Sequence, residues 1–299
     1  MLDYIMLDYR MTVRFYQRDH IQSVEEQADA NARFRQRAYS GLADCYDEIV
    51  RQAEYDSPKR KPNAELAITY FKQAIRLEPD FADAHAGIGE SYSMLRRYDE
   101  ALSAFQLAIR LEPKNAERYR DLASTYELAN RYDEAISVYK SAAALTSLPE
   151  DYFHVGEAYE RSGNLSIKSI KESPYEAAIT NYKQVIEMLH NNGFASFFDA
   201  FYGEAACERL LDCFVRLNKV AEGIEYFRDQ AIMLAHDNTK TVGGKTDYPA
   251  TAWSHYALGM LYMHSSDTKA ALEQYKILRA QGKGKPAELA EKLFSHIYK

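Results

Sequence analysis

Six consecutive residues occur twice, letter for letter, 34 positions apart: Ala74-Ile75-Arg76-Leu77-Glu78-Pro79 and Ala108-Ile109-Arg110-Leu111-Glu112-Pro113. A fixed period of that length marks one supersecondary unit stacked on copies of itself, because a single unit that short cannot bury its own apolar face. The period extends beyond the literal match. Ala67, Ala101 and Ala135 form one column, Phe71, Phe105 and Tyr139 a second, and Ala74, Ala108 and Ala142 a third. A further set aligns Ile88-Gly89 and Tyr92 with Leu122-Ala123 and Tyr126. Small residues let two antiparallel helices approach, and an aromatic four positions later fills the gap one turn along.

This pattern resembles the tetratricopeptide repeat family, whose sequence of a bulky residue, Leu-Gly, Tyr, Ala, Phe/Tyr, Ala and Pro is followed closely from Phe81 to Leu148. Outside that stretch the match loosens. One unit reads Tyr152, Val155, Gly156, Tyr159, Ala178, Tyr182, with extra residues between its helices. The next reads Cys207, Leu210, Leu211, Phe214, Gly223, Phe227, where Leu211 replaces the small residue and Gly223 the alanine. The last reads His255, Leu258, Gly259, Tyr262, Ala271, Tyr275, and the first has Tyr39, Leu42, Ala43, Tyr46 ahead of Ala67. The resemblance implies an all-α, right-handed superhelical solenoid of antiparallel helix hairpins. The expected organisation is an N-terminal helix or cap over 1–35, six units at 36–80, 81–114, 115–148, 149–190, 194–235 and 249–280, and a capping helix over 286–299. That last helix carries Leu289, Leu293 and Ile297 on one side, as a solvent-facing terminator of a stack requires. In the first segment Met6, Tyr9, Val13 and Tyr16 form a helical stripe that covers either the first repeat or a second copy of the chain.

Three polar segments, Tyr55–Asn63, Ser162–Ser173 and His236–Tyr248, lack apolar periodicity and read as surface loops. The basic run Pro58-Lys59-Arg60-Lys61-Pro62 reads as part of the first. Gly243-Gly244-Lys245-Thr246 imitates the end of a phosphate-binding loop, but Thr239 stands where that loop needs a glycine and no apolar strand leads in. The eight histidines form no His-Glu-x-x-His pair, and the three cysteines form no Cys-x-x-Cys. Cys207 and Cys213 lie six positions apart on one helix, roughly 240° around it, and so point apart as core thiols. Nothing in the spacing supports catalysis, so neither a cofactor nor a metal is expected, and the chain reads as no enzyme.

A formal net charge of -7 argues against nucleic acid, whose phosphates demand a Lys/Arg excess. The first seventeen residues hold no long apolar run, so they form neither a secretory signal nor a membrane span. A cytoplasmic, reducing setting is expected.

In the tetratricopeptide family the first helix of each hairpin lines a groove, and its variable positions choose the ligand. The position after the small residue carries Asp44, Glu90, Ser124, Glu157, Asp212 and Met260 in successive units. Three positions on come Asp47, Ser93, Glu127, Glu160, Val215 and Met263, with Glu48 beside Asp47. The first four units thus present a mainly acidic stripe, and the sixth presents Trp253, Met260 and Met263. Arg120 is the basic residue one turn deeper. Family members that grip a C-terminal carboxylate use Asn and Lys/Arg at such places, and Asp44 and Glu90 would repel it. The expected function is a protein-binding scaffold or adaptor whose groove takes a partner peptide or helix with a basic segment. A peptide-sensing regulator and a self-assembling protein joined through the N-terminal helix are the competing readings.

Overall fold

The computed structural model describes residues 60–164, 173–192, 197–236 and 250–298, together with residues 37, 39–41, 43, 44 and 46 of an earlier helix. The described residues are all-α. The helices are α1 (Arg60–Leu77), α2 (Ala82–Met94), α3 (Tyr98–Leu111), α4 (Ala116–Leu128), α5 (Tyr132–Thr146), α6 (Pro149–Asn164), α7 (Pro174–Asn192), α8 (Phe197–Arg216), α9 (Val220–His236), α10 (Ala250–His264), α11 (Thr268–Ala280) and α12 (Lys285–Ile297). They belong to two compact units, Met1–Leu145 and Thr146–Lys299.

All three segments read as loops are helical at one edge, His236 being the last residue of α9. Arg60–Asn63 form the first turn of α1, and Ser162–Asn164 the last turn of α6. Pro62 does not oppose this, because the first turn of a helix has amide groups with no partner inside the helix, and the proline ring already holds a helical φ. Polarity alone misled here: a helix end is as polar as a loop. Ser173 apart, the rest of those segments, the glycine-rich run at 243–246, Cys45 and the N-terminal stripe lie outside the described residues.

In the first unit the repeated columns become the core. Ala67, Ala101, Ala135, Ala74, Ala108 and Ala142 have no exposed surface, and Phe71, Phe105 and Tyr139 are buried against them. Why the small residues are small is visible at Gly89. A β-carbon there would stand 2.9 Å from the ring of Phe105, which is itself 1% exposed and has nowhere to go. Gly156 stands in the same relation to Tyr182 in the second unit, at 2.7 Å.

Each tight turn inside a hairpin repeats one device. Arg96, Asn130, Asn218 and Ser266 adopt positive φ angles of 56° to 62°, and the next amide bonds back to the carbonyl five residues earlier: Arg97 to Tyr92 at 2.9 Å, and Arg131 to Tyr126, Lys219 to Phe214 and Asp267 to Tyr262 each at 2.8 Å. This left-handed close satisfies carbonyls that the helix end leaves open. The following helix starts with acids in its first turn, Asp99 and Glu100 in α3 and Asp133 and Glu134 in α5, which favour the positive end of the helix dipole. Arg97 and Arg131 reinforce the corner twice over, each lying on the ring of the preceding tyrosine, at 4.5 and 4.8 Å, and each bonded to Glu100 or Glu134.

At Ser266 the left-handed conformation costs about 1–2 kcal/mol for a residue with a β-carbon, while a glycine loses roughly 0.5–1 kcal/mol more entropy on folding. Ser266→Gly is therefore expected to stabilise the chain by about 0.5 kcal/mol on the balance of those two terms. Urea unfolding should show a higher midpoint at an unchanged slope.

In the second unit, α12 lays Leu289, Ala290 and Leu293 onto the stack with no exposed surface, while Ile297 is half-buried at its end. Gly259 makes the seat. Its missing β-carbon would lie 2.4 Å from Leu293 Cδ2.

Candidate groove and its residues

The residues that the period singles out divide by environment. In the first unit Asp44 is exposed, and Glu90, Arg120 and Glu127 are half-buried; Asp47 and Glu48 lie outside the described residues. Helices α2 and α4 pack side by side, and between them lies a cavity of about 490 Å³ whose lining includes Glu90, Ser93, Asp121 and Ser124. The two variable positions of α2 and the first of α4 thus share one recess. Glu127 is turned to its hairpin partner instead, accepting a hydrogen bond from Tyr139 Oη at 3.3 Å.

Asp121 is the functional candidate that periodicity alone passed over. The 34-residue ruler aligns it with Gly87, which has no side chain to suggest a role. It stands one turn before Ser124, and that spacing was the available signal. Its Oδ2 is buried and accepts no hydrogen bond; the nearest cation is Arg118, 3.9 Å away. The Arg118 guanidinium is engaged elsewhere, paired with Asp83 and lying 3.9 Å from Glu112. Burial, and after it the charge of Glu90, raise the Asp121 pKa from the ordinary carboxylate range to about 7, against the opposing pull of Arg118. The floor beside it is tied down: Thr125, 2% exposed, donates to the Asp121 carbonyl at 2.8 Å, and Ser93 Oγ in turn donates to Thr125 Oγ1 at 3.0 Å.

The second unit treats its acids differently. Glu160 is 4% exposed, accepts from Tyr182 Oη at 3.1 Å and lies 3.4 Å from Arg209. It is an internal strut between α6, α7 and α8, not a groove-facing charge. Glu157 lies 3.4 Å from Arg209, 3.6 Å from Arg161 and 3.5 Å from His154. Burial works against its charge, but the hydrogen bond with His154 and the cations of Arg161 and Arg209 outweigh it and hold its pKa below the ordinary value. Asp212 bonds to Arg216 at 2.5 Å on its own helix. Arg209, unremarked in the sequence, converts the acidic pair into a closed network, because α8 contributes an arginine at the height where α6 contributes its glutamates.

Trp253 is also corrected by the structure. It is 6% exposed, packs edge-on against Tyr256 at 5.6 Å and lies under Lys285 Nζ at 5.2 Å. The large ring fills the seam between α10 and α12 and so is spent on the core. Met260 and Met263 remain half-buried on α10. Cys207 and Cys213 are free buried thiols, each pushed up to about 12, first by burial.

Comparison with known proteins follows this geometry. Two profiles described as tetratricopeptide repeat match residues 63–116 and 94–150. The chain carries tetratricopeptide repeats. Among solved structures similar to this chain, one titled "Crystal structure of MamA" is 19% identical, covering 57% of this chain and 98% of the other, with a TM-score of 0.38. A second, the functional characterisation of Pseudomonas aeruginosa pilF, is 17% identical, covering 85% of this chain and 96% of that one, with a TM-score of 0.44. No curated protein matches the sequence. Tetratricopeptide repeats are protein-interaction modules, and those matched over 63–150 support a protein-interaction scaffold. Among the described residues no helix is long and apolar enough to cross a membrane, and no group of three or more His, Cys, Asp or Glu is placed to hold a metal ion.

Proposed function

We propose that the chain is a non-catalytic adaptor that works in the cytoplasm and receives a basic segment of a partner protein in the groove between α2 and α4. The observation that carries this reading is the shared recess: Glu90, Ser93, Asp121 and Ser124, from two successive repeats, line a single cavity. A carboxylate from each of the two flanking helices complements a cationic peptide, and such complementarity speeds encounter and sets register more than it adds affinity. In the second unit, where the acids are paired internally, Met260 and Met263 offer adaptable apolar contact, which methionine's flexible side chain suits. Exposed Asp44 extends the negative character of the first unit.

Charge reversal tests the proposal. Asp44→Lys with Glu90→Lys is expected to abolish capture of a basic partner from source lysate, and raised salt is expected to weaken capture by the wild-type chain. Capture that is indifferent to both changes would remove the acidic groove from consideration. Glu157 is unsuitable for this test, since its reversal would disturb the Arg209 network and confuse binding with folding.

A further inference from the structure

We propose that α12 is a built-in stand-in for a basic amphipathic helix of a partner protein, and that such a helix displaces it from the face formed by α10 and α11 and edged by Glu204 and Glu208 of α8. The partner helix carries two lysines seven residues apart beside two leucines. The face belongs to the second unit and needs nothing from the groove between α2 and α4.

One device, used twice, seats α12. Lys285 Nζ lies 2.6 Å from Glu204 and 5.2 Å from the centre of the Trp253 ring. Lys292 Nζ lies 2.8 Å from Glu208 and 5.1 Å from the centre of the Tyr256 ring. Seven residues are two helical turns, so both lysines stand on one side of α12. Leu289 and Leu293 have no exposed surface, and the bare backbone of Gly259 makes room for Leu293. An exposed pair, Arg279 with Glu291 at 2.9 Å, ties α12 to α11. Lys285, Leu289 and Lys292 thus anchor at the i, i+4 and i+7 spacing of a helix lying in a groove. Two acids beside an apolar seat select a cationic, leucine-bearing helix by charge and by shape.

The occupant fits its seat imperfectly. Trp253 is 6% exposed, yet its buried Nε1 has no hydrogen-bond partner among the described residues. Lys285, the α12 side chain over that ring, has donors only, so it leaves the indole N–H unmet, which the interior disfavours. A partner helix with an acceptor at that height satisfies it. The tether is also loose. Gln281–Gly284 join α11 to α12, and Gly282 and Gly284 hold positive φ angles of 107° and 86° with open space where a β-carbon would stand. Gly284 gives α12 no side-chain cap, and the helix has 13 residues, a length at which an isolated helix is marginal in water. Its seat keeps it folded, so a released α12 loses its helix and competes poorly to return.

The test uses the full chain, with a synthetic peptide of residues 283–298 as the probe. Trp253 is the one tryptophan of the chain, so acrylamide quenching of its fluorescence reports whether the face is covered. Lys285→Glu with Lys292→Glu sets like charges against Glu204 and Glu208 and is expected to release α12, raising the quenching several-fold. The peptide should bind this variant about tenfold or more tightly than wild type, where the tethered α12 competes at an effective concentration on the order of mM. Its binding should restore the protection of Trp253, and a peptide with glutamate at both lysine positions should not bind. In the wild-type chain, saturating peptide should speed amide hydrogen exchange in α12 and leave α8, α10 and α11 protected, a readout that needs no variant. Unchanged quenching in the variant, equal binding by both peptides, or peptide bound with α12 still protected would each overturn the proposal. So would loss of helix beyond α12 in the variant, which would make α12 a structural cap. A dimer by light scattering with Trp253 covered would also overturn it, giving the face to α12 of a second copy.

Discussion

Replacing Tyr182 by alanine is expected to cost about 3–5 kcal/mol, the range for deleting a large aromatic side chain from a core. Tyr182 is the largest fully buried side chain among the described residues, with no exposed surface. Its ring packs at 5.6 Å against Phe153 and closes over Gly156. Its hydroxyl donates to Glu160, and burial followed by the Glu160 charge pushes the tyrosine pKa upward, so it stays a proton donor at all ordinary pH. Tyr182→Phe separates the two contributions. It keeps the ring and strips one donor from a buried carboxylate, a loss of about 1–3 kcal/mol. Guanidinium unfolding followed by circular dichroism checks both. A cost for Tyr182→Ala under 1 kcal/mol would mean that the α6–α7 hairpin repacks freely, which the close packing of protein interiors opposes.

Gly87→Leu is expected to destabilise the first unit by about 3 kcal/mol, at the upper end of the cost of forcing extra atoms into a packed core. A β-carbon at Gly87 would lie 2.3 Å from Phe71 Cζ and 2.5 and 2.8 Å from the adjoining ring carbons, and Phe71 is only 3% exposed. Gly87→Ala should cost less, because a helix gains about 1 kcal/mol when alanine replaces glycine. The decisive comparison is a double-mutant cycle. Phe71→Ala alone opens a cavity, and Gly87→Leu alone overfills the same space, so the pair together should cost less than the sum of the two by at least about 1 kcal/mol. Additive costs would show that the two side chains do not compete for one volume.

Tyr182 and Phe71 were visible in the sequence as members of repeating columns, whereas Gly87 was not and its role is seen only in its contact with the Phe71 ring. Tyr182 lay in the aromatic column of its unit and Gly156 in the small column, and a period of 34 needs such partners to bring two helices together. The candidate site was less legible. Glu90 and Ser124 were found because the period marks the helix face they occupy. Asp121 was not, because its alignment with Gly87 carries no chemical signal and its importance comes from burial beside Glu90. Glu160 and Trp253 were read as groove residues from their register alone. Register fixes a position along a helix, but it does not say whether the neighbouring helix supplies an arginine, as α8 does with Arg209, or a lid, as α12 does over Trp253.

The sequence by itself determined the repeating hairpin and the small and aromatic residues that let paired helices touch. These follow from local periodicity, which recurs every 34 residues and needs no knowledge of distant contacts. Only the tertiary structure decided which acids are drawn into internal networks. The charge state of a carboxylate depends on desolvation and on cations brought near by packing, and these come from residues up to 52 positions away, as with Glu157 and Arg209. One acidic column therefore lines a cavity beside Asp121 in the first unit and forms a closed network around Glu160 in the second.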